Sequence, residues 1–455
     1  MSKKFMIPAL AAVLLAVAWL LPPLHQTCEH LCPLRRSAVE SVQALPSFAR
    51  KYGVSCSQCH YAFPILNAYG RQFKMNGYVR DKDSDVGVLK SSDKQMSIEK
   101  IFPWAVIVRS RPFDNGRGNI ANAGGQMGGT ASPNTGGFKS QPLNDVDFFV
   151  AGGDAARQIS YFGEMDANAA GGFAPGLGDL RFGYHPYDQL NVVLARRGFF
   201  VDDPYQTLSA AESPTIANRA TDLLQPDQSS VAGNSLTGTQ QTMYVYGQVP
   251  LPNAAFLYYA AGASKDDDLG RQANAPTNGD LRLAFDNNSG LMVGAFGSYG
   301  HEGPRDASGF TGGTAGVLSK QQFVWTGFDA LWEIGNFAAR GAFAYTHEGD
   351  PSFDGATATD RAAYAELAYA YKRGNEAYPF LMPLIRENWY TTFNGTQQFN
   401  YITFHLAHYF QPNVKAFAEY SVDTTRGYQG GTLTATAGTL AVHGDRASLQ
   451  VEVGF

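Results

Sequence analysis

The chain has 455 residues, a formal net charge of −5 and 16% charged side chains, a balance that argues against a nucleic-acid partner. Apolar residues make up 44%, but beyond the N-terminus they come in short stretches broken by Gly, Asn, Asp and Thr, so no bundle of membrane-crossing helices is on offer. With 49 Gly, 23 Tyr and 30 Phe, the composition suits one large sheet with glycine-rich turns and aromatic girdles.

Lys3 and Lys4 precede an apolar run from Phe5 to Leu21 that Pro22-Pro23 ends, which is the pattern of an export signal. A retained membrane anchor is the competing reading of the same run. Two small-x-small sites offer cleavage: Ala16-Val17-Ala18 inside the run, and Val42-Gln43-Ala44 just before Leu45-Pro46-Ser47-Phe48. The second defines a signal segment 1–44 and discards Cys28 and Cys32. If it is not used, those two cysteines read as a local disulfide, or with His25 and His30 as a metal site.

Residues 45–94 form a compact, aromatic-rich head. At its centre stands Cys56-Ser57-Gln58-Cys59-His60. C-x-x-C-H attaches haem through two thioethers and turns the adjacent imidazole onto the iron, so Cys56 and Cys59 are the covalent sites and His60 the proximal ligand of one haem c. A redox-active C-x-x-C would want a βαβ surround and a zinc site further Cys or His nearby; the sequence shows neither. Leu66 to Met75 has helical spacing and should stop at Asn76-Gly77. Met75 is the nearest soft donor for the distal side of the iron, and equally reads as a residue that simply packs. The rival distal donors are His185, His405 and His408 on expected strands, the last two facing opposite sides of theirs. Asp81 to Lys94 is polar and reads as a linker.

From Glu99 onward the pattern is period two. Trp104, Val106 and Val108 alternate with Ala105, Ile107 and Arg109, and Leu180, Phe182 and Tyr184 with Asp179, Arg181, Gly183 and His185. This is the lipid-out, lumen-in alternation of a transmembrane barrel. Sixteen strands are expected near 99–111, 145–152, 157–167, 177–185, 190–198, 241–249, 254–263, 280–286, 290–299, 321–333, 337–346, 362–373, 376–386, 398–410, 414–422 and 446–455. Long connections, among them Asp202 to Gly238, are expected outside the cell and short turns in the periplasm. Glu164, Asp166 and Asp179 alternate inward as ordinary lumen charges or as guides for a cation. Asp266-Asp267-Asp268 reads as a solvated acidic turn, or a weak cation site. The last strand ends at Phe455 with Val453, Val451, Leu449 and Ala447 on the same face, the C-terminal pattern of outer-membrane barrels.

The fold class expected is therefore all-β: a transmembrane antiparallel barrel of about sixteen strands over 95–455, in contact with outer-membrane lipid. Some fifty head residues are too few to bury a haem by themselves, so the lumen is the shelter the sequence provides.

The head resembles a known family through Leu45-Pro46-Ser47-Phe48-Ala49-Arg50, Gly53, the haem motif, Phe63-Pro64, Leu66-Asn67, Tyr69-Gly70-Arg71-Gln72-Phe73-Lys74 and Asn76-Gly77-Tyr78. The likeness continues through Arg111-Pro112-Phe113, Asp145 to Gly152 and Asp203-Pro204-Tyr205. These residues resemble the fused outer-membrane monohaem cytochrome–porins of iron-oxidising bacteria. The resemblance implies oxidation of extracellular Fe(II) through a haem held by Cys56, Cys59 and His60. Electrons would pass to a periplasmic c-type cytochrome or cupredoxin. Two other readings remain: a transport porin with a haem-binding plug or sensor, and a conduit for a donor other than Fe(II).

Overall fold

The computed structural model describes residues 46–79 and, from 103 onward, the barrel strands and their shorter connections. Outside the described residues lie 1–45, 80–87, 91–96, 100–102, 116–137, 155–157, 169–172, 174, 210–212, 218, 224–239, 267–277, 288, 302–304, 307–317, 320–321, 350–356, 375, 393–396, 425–432, 436–437 and 441–444. The signal segment with Cys28, Cys32, His25 and His30, and the Asp267-Asp268 pair, fall there. Within the stretch read as a linker, Val88–Lys90 pairs with Ser97–Glu99 as a short antiparallel ribbon.

Sixteen antiparallel strands close into a barrel. They are β1 (Trp104–Asn115), β2 (Phe138–Asp154), β3 (Ile159–Asn168), β4 (Gly176–Tyr187), β5 (Leu190–Arg196), β6 (Gln240–Pro250), β7 (Phe256–Asp266) and β8 (Asn278–Asp286). Then follow β9 (Leu291–His301), β10 (Gln322–Ile334), β11 (Phe337–Glu348), β12 (Ala358–Tyr369), β13 (Leu381–Thr392), β14 (Gln397–Gln411), β15 (Val414–Asp423) and β16 (Arg446–Gly454). Each expected strand is present, with displaced ends; β1 starts at Trp104 and β2 reaches back to Phe138.

The period-two pattern sorts the side chains as lipid and lumen require. Phe182, Leu194, Met243, Phe328 and Trp332 are exposed on the outer face, while Asp147, Arg181, Arg282 and Asp329 are buried on the inner one. Closure is direct: Val106 N donates to the Phe455 carbonyl at 3.2 Å and Phe455 N to the Val106 carbonyl at 2.8 Å. This seam leaves no free sheet edge.

Short turns link β2–β3, β4–β5, β6–β7, β8–β9, β10–β11 and β14–β15, and they share one end of the barrel with the β1–β16 seam. Local chemistry makes them tight. Asn287 Oδ1 accepts from Ser289 N and Leu291 N at 3.0 and 2.9 Å, and Gly335 takes a left-handed φ of 58° in the β10–β11 turn. Most of the longer connections join at the other end, as expected, but the β12–β13 connection (370–380) shares the short-turn end.

One of those long connections departs from expectation. The stretch after β5 was expected outside, yet Phe199–Ser209 and the pieces near Ala217 and Arg219 are buried inside the lumen. The reason lies in its composition. Phe199, Phe200, Tyr205 and Leu208 join an aromatic cluster with Tyr244, Tyr246, Tyr258 and Trp325 of the wall. The acids between them are matched: Asp202 pairs with Arg181 at 2.5 Å, and Asp203 with Arg282 at 3.1 Å. Burying those charges is tolerable only because wall arginines wait for them.

The head fills the short-turn end of the lumen. It comprises α1 (Pro46–Tyr52), α2 (Cys56–Cys59), a ribbon of His60–Ala62 against Ile65–Leu66, and α3 (Ala68–Met75). Asn67 caps α3 by accepting from Gly70 N at 2.9 Å, and Asn76-Gly77 ends it, with Gly77 at φ 68°. The head's own core is small, Phe48 with Phe73 and Tyr78, and wall residues Ala151 and Phe162 complete it. Polar clamps ring the head: Lys51 Nζ to the Gly153 carbonyl (2.9 Å), Tyr246 Oη to the Met75 carbonyl (2.7 Å) and Arg71 to Glu333 (3.0 Å).

Candidate haem-binding site

The single turn of α2 sets Cys56 and Cys59 three residues apart, on neighbouring positions of one helical face. Gly70 of α3 packs on that turn so closely that a Cβ there would overlap the Cys59 carbonyl. Asn67 Nδ2 donates to the Ser57 and Gln58 carbonyls at 3.2 and 3.1 Å, satisfying the end of the turn. Neither cysteine forms a disulfide. Burial pushes the Cys56 thiol up to about 12 and the Cys59 thiol up to about 11.

His60 leaves the helix in an extended conformation, with φ −116° and ψ 135°. Its Nδ1–H donates to the Pro64 carbonyl at 3.1 Å, which makes Nε2 the ring nitrogen suited to a metal. Both thiols and this imidazole open on one cavity of about 570 Å³ between the head and the wall. That is within the range of about 300–1,000 Å³ typical of cofactor pockets.

Part of the cavity lining is apolar, with Phe63, Leu66, Phe73, Ile107, Phe149 and Phe417. The rest is largely ionic. Arg109 pairs with Asp145 at 2.7 Å, with Glu452 at 3.3 Å and with Asp147. Arg197 lies 3.7 Å from Glu164 and pairs with Asp179, and Arg111 donates to Gln450 Oε1 at 3.2 and 3.0 Å. Lys415 bridges from Glu452 (3.1 Å) to the Phe63 carbonyl (3.3 Å).

These residues fit a c-type haem. Two thiols at the right spacing would hold it covalently, and an imidazole oriented by a backbone carbonyl would ligate its iron. Apolar side chains would cover its faces, and the arginines would meet its propionates. When bound, the haem supplies a one-electron redox centre.

The candidate distal donors singled out from the sequence lie elsewhere. Met75 is buried in the aromatic cluster beside Tyr246 and is not on the wall of the cavity that His60 faces. Ligation would require its thioether to leave that cluster. His185 donates from Nδ1 to Asn191 Oδ1 at 3.0 Å, accepts from Ser160 Oγ at 2.7 Å and packs under Gly77. His405 points inward to Glu419 at 3.3 Å; His408, on the opposite face, packs on Phe380 and Phe410. Glu164, Asp166 and Asp179 do line the cavity. Sequence reasoning missed Gln206, Arg109 and Lys415 as parts of this site. Arg109 and Lys415 were legible as inward positions on β1 and β15, but nothing in the pattern brings them to the head. Gln206 adjoins Asp203-Pro204-Tyr205, and that proximity was its one signal.

Fold and interior together define a membrane-spanning barrel of the porin type, the architecture of the bacterial outer membrane, occupied at its short-turn end by its own N-terminal head. No family model matches the chain, and no curated protein matches it. Among solved structures it is similar to an anion-selective porin from Comamonas acidovorans, with a TM-score of 0.50 at 9% identity over 77% of this chain and 98% of that one. OmpT of Vibrio cholerae in its trimer form gives 0.49 at 10% identity, covering 77% and 98%. Salmonella typhi OmpF in complex with daunomycin gives 0.49 at 14%, covering 77% and 97%. At 9% identity the likeness to the Comamonas porin is one of fold.

Proposed function

We propose that this chain is a one-haem electron conduit of the outer membrane, related to the fused cytochrome–porins its head resembles. In this reading Fe(II) outside gives up one electron, and a periplasmic c-type cytochrome or a cupredoxin receives it. Cys56 and Cys59 hold the haem and His60 ligates its iron. The observation that carries the reading is the convergence of both thiols and the carbonyl-oriented His60 on one lumenal cavity. The ionic lining sets Asp145, Asp147, Glu164, Asp166, Asp179 and Glu452 against Lys74, Arg109, Arg111, Arg197 and Lys415, a slight negative excess that tolerates a cationic donor. The head and the inward Phe199–Ser209 segment both occupy the lumen, which suits a conduit better than an open pore.

The test is direct. The purified protein should give the pyridine haemochrome of one covalent haem per chain, and stopped-flow mixing with Fe(II) should reduce it. A haem that Fe(II) leaves oxidised refutes the donor, and a chain without covalent haem refutes the conduit. The porin-type barrel favours a second reading, a transport pore with a haem-binding plug. Liposomes that pass small solutes freely while the haem stays electrochemically silent would select it.

A further inference from the structure

We propose that Gln206 is a positioning residue for His60, acting through the Pro64 carbonyl to set the electron density of the haem's axial ligand. The inference rests on the haem reading above. Gln206 belongs to the inward segment, is 4% exposed and borders the cavity. Its side-chain amide spans the turn that follows His60. Oε1 accepts from Leu66 N at 2.7 Å, and Nε2 donates to the Pro64 carbonyl at 3.3 Å. The same carbonyl accepts from His60 Nδ1 at 3.1 Å. The amide's orientation follows from its partners, since Leu66 N–H offers a proton and the Pro64 carbonyl needs one.

Two features show that this side chain is held in place. Gln206 has a left-handed backbone, φ 60°, a conformation glycine adopts freely and glutamine does not. Its own carbonyl accepts from the buried Arg219 Nη1 at 2.6 Å. On either side, Asp203 is tied to Arg282 and Thr207 to Asp329, so the segment is anchored in the barrel wall. A strained backbone kept by so many contacts points to a role for the side chain it aims.

The consequence is electronic. A carbonyl that serves two donors binds each less strongly, so the amide of Gln206 weakens the Nδ1–H···O bond of His60. A weaker bond leaves the imidazole less basic, which favours ferrous over ferric iron. The barrel, through its inward segment, thus raises the potential of a centre carried by the head.

The experiment compares Gln206→Leu, Gln206→Met and Thr207→Val in the full-length chain. Pyridine haemochrome content is measured first, then the spectroelectrochemical midpoint potential and the ferric EPR spectrum. Both Gln206 variants should keep covalent haem, lower the midpoint potential and change the spread of g-values. Thr207→Val disturbs the same segment without touching Pro64 and should keep both native values. If Gln206→Leu fails to assemble, Gln206→Met, which matches the amide's length without a donor or a charge, decides alone. Native potentials and g-values in the Gln206 variants overturn the proposal, as does an equal shift in Thr207→Val. A native chain without covalent haem overturns the haem reading and this inference with it. A haem-bearing chain with silent Gln206 variants overturns the inference alone.

Discussion

Arg71 is a buried ionic tie between head and wall, and its removal should loosen the head measurably. Its side chain is 1% exposed, pairs with Glu333 at 3.0 Å, lies 3.9 Å from Asp286 and donates to the Leu66 carbonyl at 3.1 Å. Arg71→Ala leaves two buried carboxylates short of a counter-charge, a change that typically costs about 3–5 kcal/mol. Arg340 remains 3.8 Å from Glu333 and softens the loss. The lower end, about 3 kcal/mol, is therefore expected, which is roughly a 150-fold shift in the ratio of docked to undocked head. Limited trypsin digestion after Arg50 or Lys51 reads that ratio when undocking is fast relative to cleavage. Single-channel recording reads it independently, as a gain in open time. Unchanged cleavage and conductance in Arg71→Ala would show that the head's other contacts hold it, refuting the assignment of this ion pair as its anchor.

Gly70→Val forces side-chain carbon into the Cys59 carbonyl, so it should cost about 1–3 kcal/mol as an overpacked core does. Haem staining should show less haem per chain; native staining and thermal stability would contradict the packing described. In haem-free folded protein, Cys59 with its thiol at about 11 should be alkylated at pH 8 at least about a hundredfold more slowly than in urea, where a thiol near 8.5 is partly ionised. The folded state holds the thiol protons more tightly, so this contribution to stability is complete below about pH 8.5 and is lost as pH rises through about 11 to about 12. Equal alkylation rates in the two states would remove the burial argument. Deleting Phe455 removes both backbone hydrogen bonds to Val106 at the seam, and the fraction with compact, heat-modifiable electrophoretic mobility should fall.

The barrel was readable from the sequence because lipid and lumen impose opposite chemistry on alternate residues. Val414, Ala416 and Ala418 against Lys415, Phe417 and Glu419 state that rule in six letters, and the structure follows it. The end of α3 was readable for an equally local reason, since Asn76-Gly77 is turn chemistry. The inward segment was not. Phe199-Phe200 followed by Asp202-Asp203 looks like a mixed loop until Arg181 and Arg282, on strands far off in sequence, are known to face it. The haem motif identified its own three residues and nothing of their surroundings. Gln206 reaches Pro64 across 142 positions of chain, and Lys415 reaches Phe63 across 352. No periodicity records such distances.

The seam at Phe455 also bears on access to the head. Where Val106 and Phe455 exchange their two hydrogen bonds, the ring closes around a Cys56 that is 4% exposed. A reagent too large for the lumenal cavity meets that thiol only when the head is undocked or the ring unzipped. The wall therefore acts as a gatekeeper on the chemistry of the head, and the rate at which the two come apart sets how often that thiol can react.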